Sequence, residues 1–182
     1  VPQGVAPMAP VCSDIPGRTT TQYIDLDGAQ VLVRSMGNIH QQVPLVLLHH
    51  APGSSALLDG LLCALGQYHP VLAFDLPGHG ESNPMDGEMQ DVGHWAQTSV
   101  KILAALGVDA FHLYGHNTGA MVAVELAHVV PTRVKSLVLD APMCLTPDQR
   151  TQWTPKWLEG VDPVSPTWDG SHLLRIWHMR RD

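Results

Sequence analysis

The pentapeptide Gly115-His116-Asn117-Thr118-Gly119 carries the strongest chemical signal in the chain. Glycines flank one central side chain, as they must where a sharp turn holds it at a strained backbone angle and leaves no room for a Cβ on either side. An apolar run, Phe111-His112-Leu113-Tyr114, precedes the turn, and a helix-like run, Ala120 to Ala127, follows it. That strand–turn–helix context is the one in which a nucleophile elbow presents serine, cysteine or aspartate for attack. Asn117 occupies the attacking position, and a carboxamide is a poor nucleophile. Either the chemistry lies elsewhere or this chain has lost it.

Histidines 49, 50, 79 and 116 fall near the carboxyl ends of expected strands, the edge at which open α/β sheets bind ligands. Four imidazoles and Asp75 have the chemistry of a metal site. None has paired ligand spacing, so neither a metal nor a cofactor is expected. His50 and His116 are instead placed at the mouth of a pocket. Cys12, Cys63 and Cys144 are widely spaced and lack a C-x-x-C pair, which suggests neither a disulfide framework nor a zinc knuckle and favours a reducing, cytoplasmic setting.

The elements that must hold these residues follow from periodicity. Val1 to Arg18 reads as an irregular arm. Residues 20–26 alternate, Asp27-Gly28 is a hairpin turn signal and residues 29–34 resume an extended pattern. Val43 to Leu48 and Val71 to Phe74 are continuous apolar runs, as in strands buried on both faces of a mostly parallel sheet. Between them, Ser54 or Ser55 is placed to cap a helix with leucines 57, 58, 61, 62 and 65 on one face and Gly66 at its end. Apolar residues recur at helical spacing from Met89 to Leu106, with Gly107 closing the run. The elbow follows, then a helix stopped by Pro131, then a strand over Lys135 to Leu139. Alternating strand and helix implies a parallel sheet with helices on both faces.

The character changes after Met143. Trp153, Trp157 and Trp168 lie among prolines from Pro142 to Pro166, and Ser171 to Arg181 has the pattern of an amphipathic helix. The chain thus divides into a core over 1–143 and a second unit over 144–182, whose tryptophans are expected to pack as core. At 182 residues and 45% hydrophobic content the chain can bury a core, and a net charge of −7 argues against nucleic acid or an anionic membrane as partner. No run is long enough for a membrane span. A small, rather apolar molecule is the expected ligand.

Three motifs in order resemble the α/β-hydrolase family, in particular its lid-bearing epoxide hydrolases, haloalkane dehalogenases and esterases. Leu47-Leu48-His49-His50-Ala51-Pro52-Gly53-Ser54-Ser55 is similar to the family's oxyanion loop, Asp75-Leu76-Pro77-Gly78-His79-Gly80-Glu81-Ser82 to its D-x-P-G-H-G-x-S segment, and Gly115 to Gly119 to its elbow. The resemblance covers roughly Thr20 to Pro142 and implies that residues 144–182 begin a helical lid. It further implies that the family's last strands and its catalytic histidine would lie beyond Asp182. The chain then resembles a truncated α/β-hydrolase core, with an uncovered sheet edge through which copies could associate.

By the same resemblance the backbone N–H groups of Ala51 and Thr118 are oxyanion donors, and Asp140 stands where some members, notably haloalkane dehalogenases, carry the catalytic acid. A loop-capping carboxylate is the competing reading of Asp140. Against dehalogenation, Ala51 and Thr118 replace the usual halide-binding asparagine and tryptophan. Asn117 then has three readings: an isosteric trap of an aspartate enzyme, a silenced serine esterase, or a natural binding group. The expected function is hydrolysis of a small ester, epoxide or related compound, inactive where Asn117 replaces the nucleophile. A non-catalytic binding or receptor-like protein on the same fold is the alternative.

Overall fold

Alternation and a two-residue turn build the first hairpin. Strand β1 (Thr20–Leu26) pairs antiparallel with β2 (Ala29–Met36), Leu26 opposite Ala29. Asp27 and Gly28 both take positive φ, 55° and 86°, the requirement of the tight turn whose twist matches that of flanking strands. The computed structural model describes residues 19–85, 91–158 and 167–174, which fall into two units, one within 1–143 and one within 144–182.

The first unit is a six-stranded sheet in the order β1-β2-β4-β3-β5-β6. Strands β3 (Leu45–Leu48), β4 (Val71–Phe74), β5 (Phe111–His116) and β6 (Val134–Asp140) run parallel, while β2 meets β4 antiparallel. The runs of β3 and β4 are apolar without alternation because both of their faces are covered. On one face Val46, Leu48, Leu72, Phe74, Phe111 and Leu113 pack with Ile102 and Leu103 of helix α2 (Val92–Ala105) and Val122 and Leu126 of helix α3 (Thr118–Val129). On the other, Leu47, Val71 and Ala73 pack with Leu62 and Cys63 of helix α1 (Asp59–Gly66). Helices therefore cover both faces, and strand β3 lies inside the sheet between β4 and β5.

The residues around the first helix depart from expectation. A 3-10 turn over Ser55–Leu58 precedes α1, Leu57 is exposed, and neither serine caps. The Ser55 hydroxyl and N–H instead both donate to Asp75, which lies too far along the chain for local pattern to foresee. Helix α2 starts at Val92 because Asp91 accepts the His94 N–H at 2.8 Å; the expected start at Met89 lies outside the described residues. Gly107 closes it with φ +67° as expected. Cys63 is disulfide-bonded, a correction to the reading of the cysteines. Spacing along a chain does not limit closeness in space, and the spacing argument for a reducing setting falls with it.

Among the described residues strand β6 is an edge and pairs only with β5. Leu137, Val138 and Leu139 alternate between its faces yet all three are exposed, so neither face of this strand is well covered.

In the second unit, helix α4 (Pro147–Leu158) forms where tryptophans lie among prolines, with Pro155 inside it. Pro147 takes the first helical position, where a missing N–H costs nothing. Thr146 and Gln149 form a reciprocal cap: the Thr146 N–H donates to Gln149 Oε1 at 2.9 Å and the Gln149 N–H to Thr146 Oγ1 at 3.2 Å. Trp153 and Trp168 are exposed, contrary to the expectation that they pack as core, and the side chain of Trp157 lies outside what is described. Of the expected helix over 171–181, residues 171–174 are helical and the rest lies outside the described residues. No helix among the described residues is long and apolar enough to cross a membrane.

Candidate functional site

The strand-to-helix turn after β5 places Asn117 alone between the last strand residue, His116, and the first helical residue, Thr118. Its φ of 51° and ψ of −113° are strained for a residue with a side chain. The surroundings determine that conformation. A Cβ on Gly115 would run into the Gly119 backbone, and one on Gly119 into the carbonyl oxygens of Leu48 and His49 at the end of β3. The Asn117 N–H extends the sheet by donating to the Asp140 carbonyl at 2.8 Å, and its own carbonyl accepts the Ala120 N–H at 2.9 Å. The Asn117 side chain is left exposed at the carboxyl end of the sheet.

Ala51, on the loop after β3, stands against the turn: the Thr118 hydroxyl reaches the Ala51 carbonyl oxygen at 3.5 Å and Asn117 Oδ1 at 3.3 Å. As the first helical residue, Thr118 has a backbone N–H with no acceptor inside the helix.

Two buried groups set the position of that loop. His49 accepts the Leu76 N–H at Nε2, 2.9 Å, and its Nδ1–H donates to the His50 carbonyl, also 2.9 Å. Both ring nitrogens are used and the ring is neutral; burial pushes its pKa below the usual histidine range. Asp75, 1% exposed, accepts Ser55 N–H and Ser55 Oγ–H at 2.6 Å each on Oδ1 and the Glu81 N–H at 2.8 Å on Oδ2. Arg34 joins the group through Nε–H to Ser55 Oγ, 3.1 Å. Asp75 thus ties the two motif loops together, and its carboxylate is consumed in doing so. His79 packs edge-on against His49 and Trp95. Among the described residues no group of three or more histidine, cysteine, aspartate or glutamate side chains could hold a metal.

The remaining candidates form a cluster beside Asn117. Asp140, the last residue of β6 rather than the first after it, accepts from His116 Nδ1–H at 2.9 Å and from the Tyr114 hydroxyl at 2.7 Å, both on Oδ2. These donors hold the Asp140 carboxyl below the usual range, the tyrosine contributing more than the histidine. Burial, and then the Asp140 carboxylate, push the Tyr114 hydroxyl up to about 12. The carboxylate thereby fixes the orientation of the His116 ring through its Nδ1–H. His50 packs edge-on against His116, ring centres 5.3 Å apart. Sequence reasoning misses Tyr114. The signal lies in strand alternation, since residues 114 and 116 share a face of β5 and the β5–β6 register puts Asp140 beside them.

Asn117, Thr118, Ala51, His50, His116 and Asp140 are therefore brought together, with Tyr114 added. Within this set an exposed amide side chain lies between the first residue of α3 and a carboxylate-bound imidazole. Cavities of about 550 Å³, between the first hairpin and α2, and about 510 Å³, beside the loop before β3, lie elsewhere, and neither is lined by any of these residues.

This geometry has counterparts. A family described as alpha/beta hydrolase fold matches residues 43–173, well over half of the chain. The chain is 31% identical over 128 residues to a proline iminopeptidase of Heyndrickxia coagulans, a match spanning 70% of this chain and 44% of that protein. It is 37% identical over 111 residues to a 1-acylglycerol-3-phosphate O-acyltransferase of Homo sapiens, across 58% of this chain and 31% of that one. Among solved structures, a membrane phospholipase A described as a bacterial virulence factor superposes with a TM-score of 0.70 at 25% identity, covering 86% of this chain and 51% of that chain. The chain thus spans about half the length, or less, of these three proteins.

Proposed function

The chain belongs to the α/β-hydrolase fold family, and on that premise we propose that its site is that of a hydrolase for a small, rather apolar ester, epoxide or related compound, in which Asn117 leaves the covalent step silent. The reading rests on one observation: Asn117 stands at φ 51° and ψ −113° between two glycines that admit no Cβ, with Thr118 against Ala51. A side chain held in this way at the end of a central strand is placed for attack, and a carboxamide there does not attack. The backbone N–H groups of Ala51 and Thr118 would receive the ligand's carbonyl oxygen, since backbone donors do not depend on the side chain at 117. Asp140, oriented through Oδ2 by Tyr114 and His116, keeps Oδ1 for a further donor and would serve as the acid. The relatives' names denote chemistry at acyl groups, which makes an activated ester the first substrate to test.

The test uses the full-length protein that contains residues 1–182. Asn117→Ser should accumulate an acyl-enzyme with an activated ester, and Asn117→Asp an alkyl ester with an epoxide or alkyl halide. Intact-protein mass distinguishes the two. The unaltered protein should bind such compounds without forming either adduct. Turnover by the unaltered protein as fast as by either variant, with Asn117 chemically unchanged, would remove the reading of residue 117 as a silenced nucleophile. Binding without turnover in all three proteins would favour the non-catalytic alternative.

A further inference from the structure

The backbone conformation that strains Asn117 also aligns it for a reaction with its own chain. Around the Cα–C bond of an L-residue the Cβ sits about 120° from the backbone nitrogen, on the negative side. A ψ of −113° therefore nearly eclipses the Asn117 Cβ with the Thr118 nitrogen. That eclipsed arrangement is the one the two atoms adopt in a five-membered cyclic imide. In sheets and helices ψ lies far from this value, so asparagines there must first distort. The hydrogen bond from the Thr118 hydroxyl to Asn117 Oδ1, 3.3 Å, is a second and independent observation. It folds the carboxamide back toward Thr118 and places a donor on the oxygen that becomes negative when the amide carbon is attacked. The Thr118 N–H is also uncommitted within its helix.

We infer that Asn117 is a self-processing site, at which the turn converts its carboxamide to a carboxylate. The inference rests on the reading of residue 117 as the attacking position. In the first step the Thr118 nitrogen bonds to Asn117 Cγ. The Cγ–Nδ2 bond breaks, and the displaced amine leaves as ammonia with the proton that Thr118 nitrogen gives up. In the second step one water opens the imide. Addition at Cγ breaks the Cγ–N bond and restores the main chain with aspartate at 117, whereas addition at the main-chain carbonyl carbon yields isoaspartate. The sum is one water consumed and one ammonia released, with no oxidant or reductant. The aspartate product carries a nucleophile at the same turn, so a chain encoded as silent would acquire one as it ages.

The full-length protein is incubated at neutral pH, folded and in urea, and residue 117 is followed by peptide mass spectrometry with isoaspartate detection. Folded structure ordinarily protects asparagine. Here the folded protein is expected to convert residue 117 at roughly ten times the rate of the unfolded chain, or faster, through a species that has lost ammonia. Thr118→Ser should retain the rate and Thr118→Val should lower it several-fold. A folded rate equal to or below the unfolded rate would overturn the inference, as would conversion to aspartate alone with neither imide nor isoaspartate formed. The comparison of folded and unfolded wild-type protein needs no variant to fold. Adduct formation by Asn117→Asp is read separately. If residue 117 never converts but that variant forms the ester, only this inference fails. If it converts but neither variant forms an adduct, the reading of the site fails instead.

Discussion

Replacing Asp75 by alanine should cost a large share of the stability of the core, even though Asp75 is not placed to touch a substrate. A buried carboxylate loses hydration worth several kcal/mol, which alone would make its removal favourable. Three short hydrogen bonds oppose this: two from Ser55 at 2.6 Å and one from the Glu81 N–H at 2.8 Å. Bonds to a charged group are worth about 1.5–3 kcal/mol each, so together they outweigh the desolvation. Alanine leaves the Ser55 N–H without an acceptor where Ser55 is fully buried, and an orphaned donor costs about 1–3 kcal/mol. With the partly buried Glu81 N–H added, the expected loss is about 2–5 kcal/mol, against total stabilities of about 5–15 kcal/mol for domains of this kind. An asparagine side chain at this position would keep one acceptor and turn an amide toward the other donor, so Asp75→Asn should fall between. Urea unfolding measures both, through a lower midpoint at unchanged slope. A loss below about 0.5 kcal/mol for the alanine variant would refute the argument that this carboxylate organises the two loops.

The Tyr114–Asp140 contact should appear in two titrations. With the phenol raised to about 12, its contribution to stability is complete below the ordinary tyrosine value and is lost as pH rises through about 12. Asp140, held low, contributes above the ordinary aspartate range and loses that contribution as pH falls through its depressed value. Asp140→Asn should therefore lower the Tyr114 midpoint from about 12 by only part of the shift, since burial remains, in an ultraviolet difference titration, and an unmoved midpoint would contradict the contact. On edge strand β6, Val138→Lys should reduce self-association of the 182-residue chain, because a lysine on an exposed edge strand discourages pairing with a second copy. Sedimentation at matched concentrations checks this, and equal association by both chains would refute it.

Local chemistry explains what could be read in advance. Strand runs at 45–48 and 71–74, the turn at Asp27-Gly28 and the glycines around Asn117 each act over a few residues, so the sheet and the strained turn are legible in the sequence. Ser55 reads as a helix cap because its true partner, Asp75, lies twenty residues away on another loop. Tyr114 escapes notice because its role exists only once β5 and β6 are in register. Helix α4 carries Pro147 at its first position, where proline is tolerated, and Pro155 inside it, where proline ordinarily breaks a helix, so the local pattern reads against it. Each miss involves a pairing distant in sequence, or a residue whose meaning depends on its position within an element.

The turn at Asn117 does not owe its shape to the residue it carries. Gly115 and Gly119 pack backbone on backbone, the Asn117 N–H completes the β5–β6 ladder, and its carbonyl starts α3. None of these contacts uses the side chain, and no side-chain cap from Asn117 supports the helix. The strain is therefore maintained by the sheet, the helix and the loop after β3, whatever stands at 117. A serine, an aspartate or an asparagine can occupy the same backbone, so an exchange among them need not disturb the fold or the Ala51 and Thr118 backbone beside it. The separation also explains why chemistry at 117 should be recoverable: a single side-chain change, by substitution or by loss of ammonia, acts on a geometry already in place.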